Sequence, residues 1–131
     1  MASAQKIPTL IAARPGLLRN SLLTFLHGLP LVEILGPVDS PADALLALRT
    51  GLPQVLIVDA DLLAGGLVEL LRQVRLDCPG ITSIALVNTV AQQRQLLKVG
   101  AGHALLKGFL DNRLEQAVLG YMPPARTQDE Q

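Results

Sequence analysis

Asp59 is the side chain whose position points most clearly to chemistry, because it directly follows the apolar run Val55 to Val58. Such a run is typical of a buried strand in a parallel sheet, and open α/β sheets place their active sites at the carboxyl ends of these strands. The position suggests a carboxylate that accepts a phosphoryl group. That reaction depends on neutralising charge, above all from a bound Mg²⁺ ion. The end of the first predicted strand, where acidic ligands would be needed, carries Ala12 and Ala13 instead.

The elements that position Asp59 follow from hydrophobic periodicity. Short apolar runs alternate with segments of helical period, which predicts β/α repeats and a parallel sheet covered on both faces. One α/β domain is expected over residues 7–121, with residues 1–6 as an N-terminal tail and residues 122–131 as a disordered tail or linker. The predicted strands are residues 9–12, 32–35, 55–59, 84–87 and 104–106. The predicted helices are residues 16–27, a helix capped by Ser40 that ends before Gly51, and residues 66–76, 89–99 and 111–121.

The composition limits the partners that this chain can bind. Half of its 131 residues are hydrophobic but only 2% are aromatic, so the core must be aliphatic and stacking platforms for nucleobases are lacking. Eleven basic and eleven acidic residues balance, and no run of basic residues could follow a phosphate backbone. We therefore expect no direct nucleic-acid binding by this segment. No apolar stretch is long enough for a membrane span, so we expect no membrane partner. The single cysteine is consistent with a reducing, cytoplasmic location, which we expect.

Other reactive side chains lack the companions that catalysis or metal binding needs. Cys78, the single cysteine, excludes an intrachain disulfide and is interpreted as a buried or half-buried small hydrophobe. His27 and His103 have no neighbour at metal-ligand spacing, so each is interpreted as a helix-end or loop residue. No serine stands in a nucleophile-elbow motif. The chain is therefore not expected to be an enzyme.

Three segments, taken in order, resemble the receiver domains of bacterial two-component response regulators. They are Leu10 to Pro15, Pro53 to Asp59 and Gly100 to Gly108. The resemblance is to CheY-like domains of the NarL/FixJ-type branch, whose receivers usually precede a helix-turn-helix domain. It implies a flavodoxin-like fold, with five β/α units in three αβα layers around a doubly wound parallel sheet of strand order 2-1-3-4-5.

The resemblance also implies a phosphorylation mechanism. In the family, an acidic pair and the phosphoacceptor aspartate hold Mg²⁺, a lysine neutralises the phosphoryl oxygens, and a hydroxyl residue ends the fourth strand. An aromatic residue on the fifth strand then turns inward and alters the face between the fourth and fifth helices. Asp59 matches the phosphoacceptor and Lys107 the lysine, whereas Ala12 and Ala13 replace the acidic pair and Ala104 replaces the aromatic residue.

The remaining candidate pocket residues are Arg14, Asp61 and Asn88. A buried Asp59 without Mg²⁺ must find a cationic partner, and an ion pair with Lys107 is preferred, with Arg14 placing its guanidinium where the metal would sit. Asp61 could serve as a replacement ligand but is interpreted as a solvated loop acid. Asn88 ends the segment in which the hydroxyl residue would fall, and Leu63 stands in place of a loop proline.

We expect an atypical receiver domain that acts without phosphorylation or cofactor, as a protein-interaction or dimerisation module in transcriptional regulation. One alternative keeps phosphorylation of Asp59 by a histidine kinase, with Mg²⁺ in an improvised site. Another places a small ligand in the pocket emptied by Ala12 and Ala13. Partner faces are expected on the first helix, where Leu17 and Leu23 exceed the core stripe, and on the fifth helix; the fourth helix is expected to be solvated.

Overall fold

Strands and helices alternate throughout the part of the chain that this computed structural model describes, residues 6–62, 66–109 and 111–120. The strands are β1 (Ile7–Ala12), β2 (Val32–Val38), β3 (Val55–Asp59), β4 (Thr82–Val87) and β5 (His103–Leu106). The helices are α1 (Leu17–His27), α2 (Pro41–Leu48), α3 (Leu67–Asp77), α4 (Val90–Val99) and α5 (Asp111–Leu119), with a 3₁₀ turn at Lys107–Phe109. All strand pairs are parallel and their order is β2-β1-β3-β4-β5. The predicted flavodoxin-like fold class is confirmed.

Each face of the sheet carries its own aliphatic core, because successive strand residues point to opposite faces. On β1, Leu10 and Ala12 belong to the cluster that α2, α3 and α4 cover, whereas Ile11 belongs to the cluster under α1 and α5. All five residues of β3 are buried, as expected of a central strand covered on both sides. The buried hydrophobic residues of the described chain are all aliphatic, which the composition predicted.

Strand β2 is longer than predicted because it continues through a bulge. The prediction ended it at Leu35, before Gly36, yet pairing with β1 resumes at Val38 after the register shifts. Gly36 has a φ of +84°, and a Cβ there would lie 3.0 Å from the Val38 nitrogen and 3.2 Å from the Ile11 carbonyl oxygen. Only glycine fits this conformation and this spacing. Gly36, which the sequence suggested as the end of the strand, therefore forms a β-bulge within it.

The other predicted bounds lie within about two residues of the observed ones, the usual uncertainty of element ends. Thr89 proves to be the cap of α4, since its hydroxyl accepts the Gln92 N–H at 3.0 Å. The predicted Ser40 cap is confirmed by a 3.1 Å bond from the Asp43 N–H. Helix α5 ends at Leu119 because Gly120 adopts a φ of +84°. The predicted tails, apart from Lys6, and Leu63 lie outside the described residues.

The two histidines differ in their surroundings. His27 is the exposed last residue of α1, as predicted, whereas the prediction of a loop or helix end for His103 is wrong. His103 begins β5 and is 3% exposed. Strand β5 begins one residue earlier than predicted because the preceding Gly102 lies close to β4, where the Gly102 N–H donates to Ser83 Oγ at 2.9 Å. Cys78 follows α3 and is half-buried, as expected. In the described ranges, no helix is long and apolar enough to cross a membrane.

Candidate functional site

The candidate site lies at the carboxyl edge of the sheet, where three strands deliver polar residues. Asp59 is the last residue of β3, and Asp61 follows in the next turn. Asn88 comes directly after β4 and Lys107 directly after β5. Since parallel strands end at the same edge, these residues are close in space although they are far apart in sequence.

Lys107 forms an ion pair with Asp59, which confirms the predicted pairing. Its Nζ lies 2.7 Å from Asp59 Oδ1, and the two side chains are 20% and 11% exposed. The same Oδ1 also accepts the Asp61 N–H at 2.9 Å. The negative charge of Asp59 is therefore balanced by Lys107, and both contacts are made by Oδ1.

Asp61 is an exposed turn residue, as its interpretation as a solvated loop acid predicted, but it also belongs to the same cluster. Although its side chain is 54% exposed, Oδ2 lies 2.8 Å from Lys107 Nζ, and the Asn88 amide donates to both carboxylate oxygens at 3.0 and 3.1 Å. The turn after β3, closed by a 2.9 Å bond from the Leu62 N–H to the Asp59 carbonyl, holds Asp61 in this place. The sequence alone could not show whether the strand or a turn continued beyond Asp59.

The charges of the cluster shift the pKa values of its members. The hydrogen bond from Lys107, and after it the one from Asn88, lowers the pKa of Asp61 below its ordinary value despite some burial. For Lys107, burial works to lower the pKa, but the hydrogen bonds and charges of Asp59 and Asp61 together outweigh it and raise the pKa above its ordinary value. Both shifts favour the charged forms that make the cluster.

Ala12 and Ala13 do not leave an empty pocket. Both are fully buried, and they belong to the cores on opposite faces of the sheet. Neither alanine lines any of four cavities at the surface of the described chain. Their complete burial in two aliphatic clusters argues against the open room that the alternative of a small ligand required at this point.

The predicted role of Arg14, with its guanidinium in the place of the metal, is not observed. Arg14 is exposed and makes no salt bridge in the described part of the chain, although its charge helps to lower the pKa of Asp61. The cation beside Asp59 is the Lys107 ammonium. Another arginine contacts the loop after β1, since Arg19 Nη1 donates to the Ala13 carbonyl at 3.4 Å. The Nε of Arg19 is buried and has no hydrogen-bond partner in the described part of the chain.

The residues at this edge do not fit the Mg²⁺ site that the resemblance implies. A hard cation takes several oxygen ligands, chiefly carboxylates. Ala12 and Ala13 supply no side-chain oxygen, and both carboxylates present are already bound to Lys107. Among the described residues, no group of three or more acidic, histidine or cysteine side chains could hold a metal ion.

Ala104, at the position of the family's switching aromatic residue, is buried and tied to α4. The Gln93 side chain donates from Nε2 to the Ala104 carbonyl at 2.7 Å. Gln92 is also bound, with its Oε1 accepting the Asn88 N–H at 2.8 Å. The prediction that α4 is solvated is thus wrong for these two glutamines, although Arg94 and Gln95 are exposed. Helical spacing could have predicted that Gln93 lies near β5, but it could not have predicted the hydrogen bond to Ala104.

The predicted partner face on α1 is retained only in part. Leu17 is 84% exposed, whereas Leu23 packs against the core. A groove of about 420 Å³ runs beside α1 and reaches α5 and Lys107. Its lining residues are Leu17, Leu18, Ser21, Leu22, Phe25, Lys107, Gly108 and Leu114. On α5, Leu114 and Val118 are buried in the core, so that helix does not present them to a partner.

Solved structures of response regulators share this architecture. The response regulator RcsB of Salmonella typhimurium matches with a TM-score of 0.77 and 17% identity, over 95% of this chain and 66% of the RcsB chain. The receiver domain of NarL from Mycobacterium tuberculosis matches with a TM-score of 0.73 and 22% identity, over 89% of this chain and 94% of that one. The chain has the receiver fold. 

A eukaryotic receiver domain shares the fold too. The receiver of Saccharomyces cerevisiae Ssk1, crystallised with the histidine phosphotransfer protein Ypd1, matches with a TM-score of 0.72 and 17% identity, over 89% of each chain. No protein-family model and no curated protein matches the sequence. The receiver fold is therefore established by structural similarity.

Proposed function

We propose that this chain is an atypical receiver domain that works without phosphorylation, as a protein-interaction or dimerisation module in two-component signalling and transcriptional regulation. The observation that carries the proposal is the contact of one Lys107 ammonium with both Asp59 and Asp61, at 2.7 and 2.8 Å. This internal cation supports a site that holds its charge balance without a metal ion.

Phosphorylation of Asp59 would have to overcome this arrangement. Phosphoryl transfer to a carboxylate relies on positioning and on neutralising charge, and Mg²⁺ is the largest neutralising charge in such sites. With Ala12 and Ala13 at the end of β1, the metal would have to be held by Asp59 and Asp61 after displacing Lys107 from both. Repulsion between that ammonium and an entering divalent cation adds to the cost.

The interaction role is supported by the groove beside α1. A contiguous apolar surface on a small domain is typical of a site that another protein covers. Here Leu17 stands almost fully exposed at the mouth of a groove lined mainly by leucine and phenylalanine. The partner is another protein or a second copy of this chain.

Incubation with acetyl phosphate and Mg²⁺, followed by intact-mass measurement, tests the proposal. The wild-type chain should gain no phosphoryl group, and its sedimentation should depend on concentration alone. Asp59→Asn is the control for modification elsewhere in the chain. A phosphoryl group gained by the wild-type chain and absent from Asp59→Asn would contradict the proposal.

Conventional phosphorylation remains the second candidate, and the position of Asp61 favours it. Asp61 brings a second carboxylate to Asp59, and Asn88 brings an amide oxygen nearby, so a metal could gain ligands that β1 does not supply. If this candidate holds, Asp61→Asn should abolish both Mg²⁺ binding and phosphoryl gain. Under the first proposal the wild-type chain shows neither.

A further inference from the structure

Helix α4 has little apolar anchorage. Leu96 is its only fully buried residue, whereas α3 buries four side chains, at Leu67, Leu70, Leu71 and Val74. Leu97 and Val99 are only partly buried against the same core. Segments with few buried apolar contacts open at a lower free energy than the rest of a domain. Polar contacts therefore matter more for α4 than for its neighbours.

Two polar contacts hold α4, one on its side and one at its start. On its side, Gln93 donates to the Ala104 carbonyl of β5 at 2.7 Å, in a partly buried position. Among the described residues, β5 pairs only with β4 and is therefore an edge strand, and the Gln93 amide binds one of its carbonyl groups.

At its start, α4 is joined to the ionic cluster. The Gln92 side chain accepts the Asn88 N–H at 2.8 Å, and the Asn88 amide donates to Asp61. Asp61 binds Lys107, which directly follows β5. The contacts thus close a ring that leaves β5 at Lys107, passes through Asp61 and Asn88 to α4, and returns to β5 through Gln93.

We propose that Gln93 and Asn88 are two latches that hold α4 against β5, and that α4 is the element of this domain that detaches when they break. The biological meaning of this device rests on the proposed function, but its physical test requires neither phosphate nor metal.

Amide hydrogen exchange in the whole chain tests the latch, with Gln95 as a matched control. Gln93 and Gln95 lie on the same helix, and Gln95 is exposed. Gln93→Ala should speed the exchange of the amides of residues 97–99 about 2- to 10-fold, the factor that corresponds to one net hydrogen bond. Gln95→Ala should leave those rates close to the wild-type values, and the amides of β3 should not change in either variant.

Gln93→Glu is a second, nearly isosteric variant. A carboxylate cannot donate to the Ala104 carbonyl, so it should loosen α4 at least as much as alanine does, whereas Gln95→Glu should not. If Asn88 is the second latch, Asn88→Ala should also speed exchange in α4, and the double variant with Gln93→Ala should exchange faster than either single variant.

Equal exchange in α4 for Gln93→Ala and Gln95→Ala would overturn the proposal. So would faster exchange spread evenly over α4 and β3, because Gln93 would then stabilise the whole fold and not one element. A double variant no faster than Gln93→Ala alone would remove Asn88 from the device. None of these results depends on whether Asp59 can be phosphorylated, so this inference and the proposed function can fail separately.

Discussion

Lys107 Nζ lies 2.7 Å from Asp59 Oδ1 while both side chains are largely buried, at 20% and 11% exposure. This pair occupies the carboxyl edge of the sheet, where open α/β sheets place their active sites. Asp61 joins it from the exposed side, at 2.8 Å from the same ammonium. One cation thus balances two carboxylates. Both carboxylates lose their cation if Lys107 is removed, whereas Lys107 keeps one carboxylate if Asp59 is removed.

Removing Lys107 should destabilise the fold more than removing the charge of Asp59. Lys107→Met leaves two neighbouring carboxylates without a cation, one of them buried, and a loss of about 3–5 kcal/mol is expected at neutral pH. Asp59→Asn leaves Lys107 its bond to Asp61, so a smaller loss of about 1–3 kcal/mol is expected. Urea denaturation of the two variants measures both losses.

Asp43→Asn provides the control for a charge removed from an exposed acidic residue of a helix, and should cost less than Asp59→Asn. The Lys107→Met loss should also shrink in acid, where protonation removes the unpaired carboxylate charge. Equal losses for Lys107→Met and Asp59→Asn would contradict the unequal dependence.

His103 should make the fold less stable in mild acid. Burial lowers its pKa below the ordinary value, so the unfolded chain binds more protons than the folded chain as the pH falls below about 6.5. The contribution is fully present above that pH and is lost toward the lower, folded-state pKa, with a slope of at most about 1.4 kcal/mol per pH unit. Urea denaturation from about pH 7.5 to pH 5 measures it.

The exposed His27 supplies the matched comparison. His103→Leu should flatten this pH dependence, whereas His27→Leu should keep it. A slope that persists unchanged in His103→Leu would assign the effect to another group.

The sequence predicted the elements better than the contacts between them. Periodicity and turn residues give every strand and helix to within about two residues, except at Gly36, where a glycine that usually ends a strand forms a bulge. The Asp59–Lys107 pair was predictable because both residues match family positions at strand ends on the same edge of the sheet, after β3 and β5. The roles of Asp61 and Gln93 were not, because they depend on the path of a turn and on a side-chain direction that spacing alone does not determine.

Gly36→Ala should be clearly destabilising, and Gly51→Ala measures how much of the loss comes from the backbone conformation alone. Both glycines have positive φ, +84° and +80°. At Gly51 an added Cβ meets no atom within 4 Å, whereas at Gly36 it meets backbone atoms of two strands at 3.0 and 3.2 Å. Gly51→Ala should cost about 1–2 kcal/mol and Gly36→Ala distinctly more. Equal losses in thermal denaturation would show that the bulge adapts without strain.

Mg²⁺ at millimolar concentration should not bind appreciably, because the only two carboxylates of the described site already share Lys107. Isothermal titration calorimetry at neutral pH measures this. Lys107→Met is the informative companion, since freeing both carboxylates should increase any affinity that the wild-type site has. Saturation of the wild-type chain below about a millimolar would support the improvised metal site instead.

Beryllofluoride, which mimics a phosphoryl group, tests the central claim most directly. A ligand shifts a conformation only by its differential affinity for two states, and here Asp59 is bound to Lys107 while Ala104 is tied to Gln93. On adding beryllofluoride with Mg²⁺, the account predicts that the backbone amide chemical shifts of Asp59, Ala104 and α5 stay unchanged. Shift changes that spread from Asp59 to Ala104 and residues 111–119 would contradict a domain that works without phosphorylation.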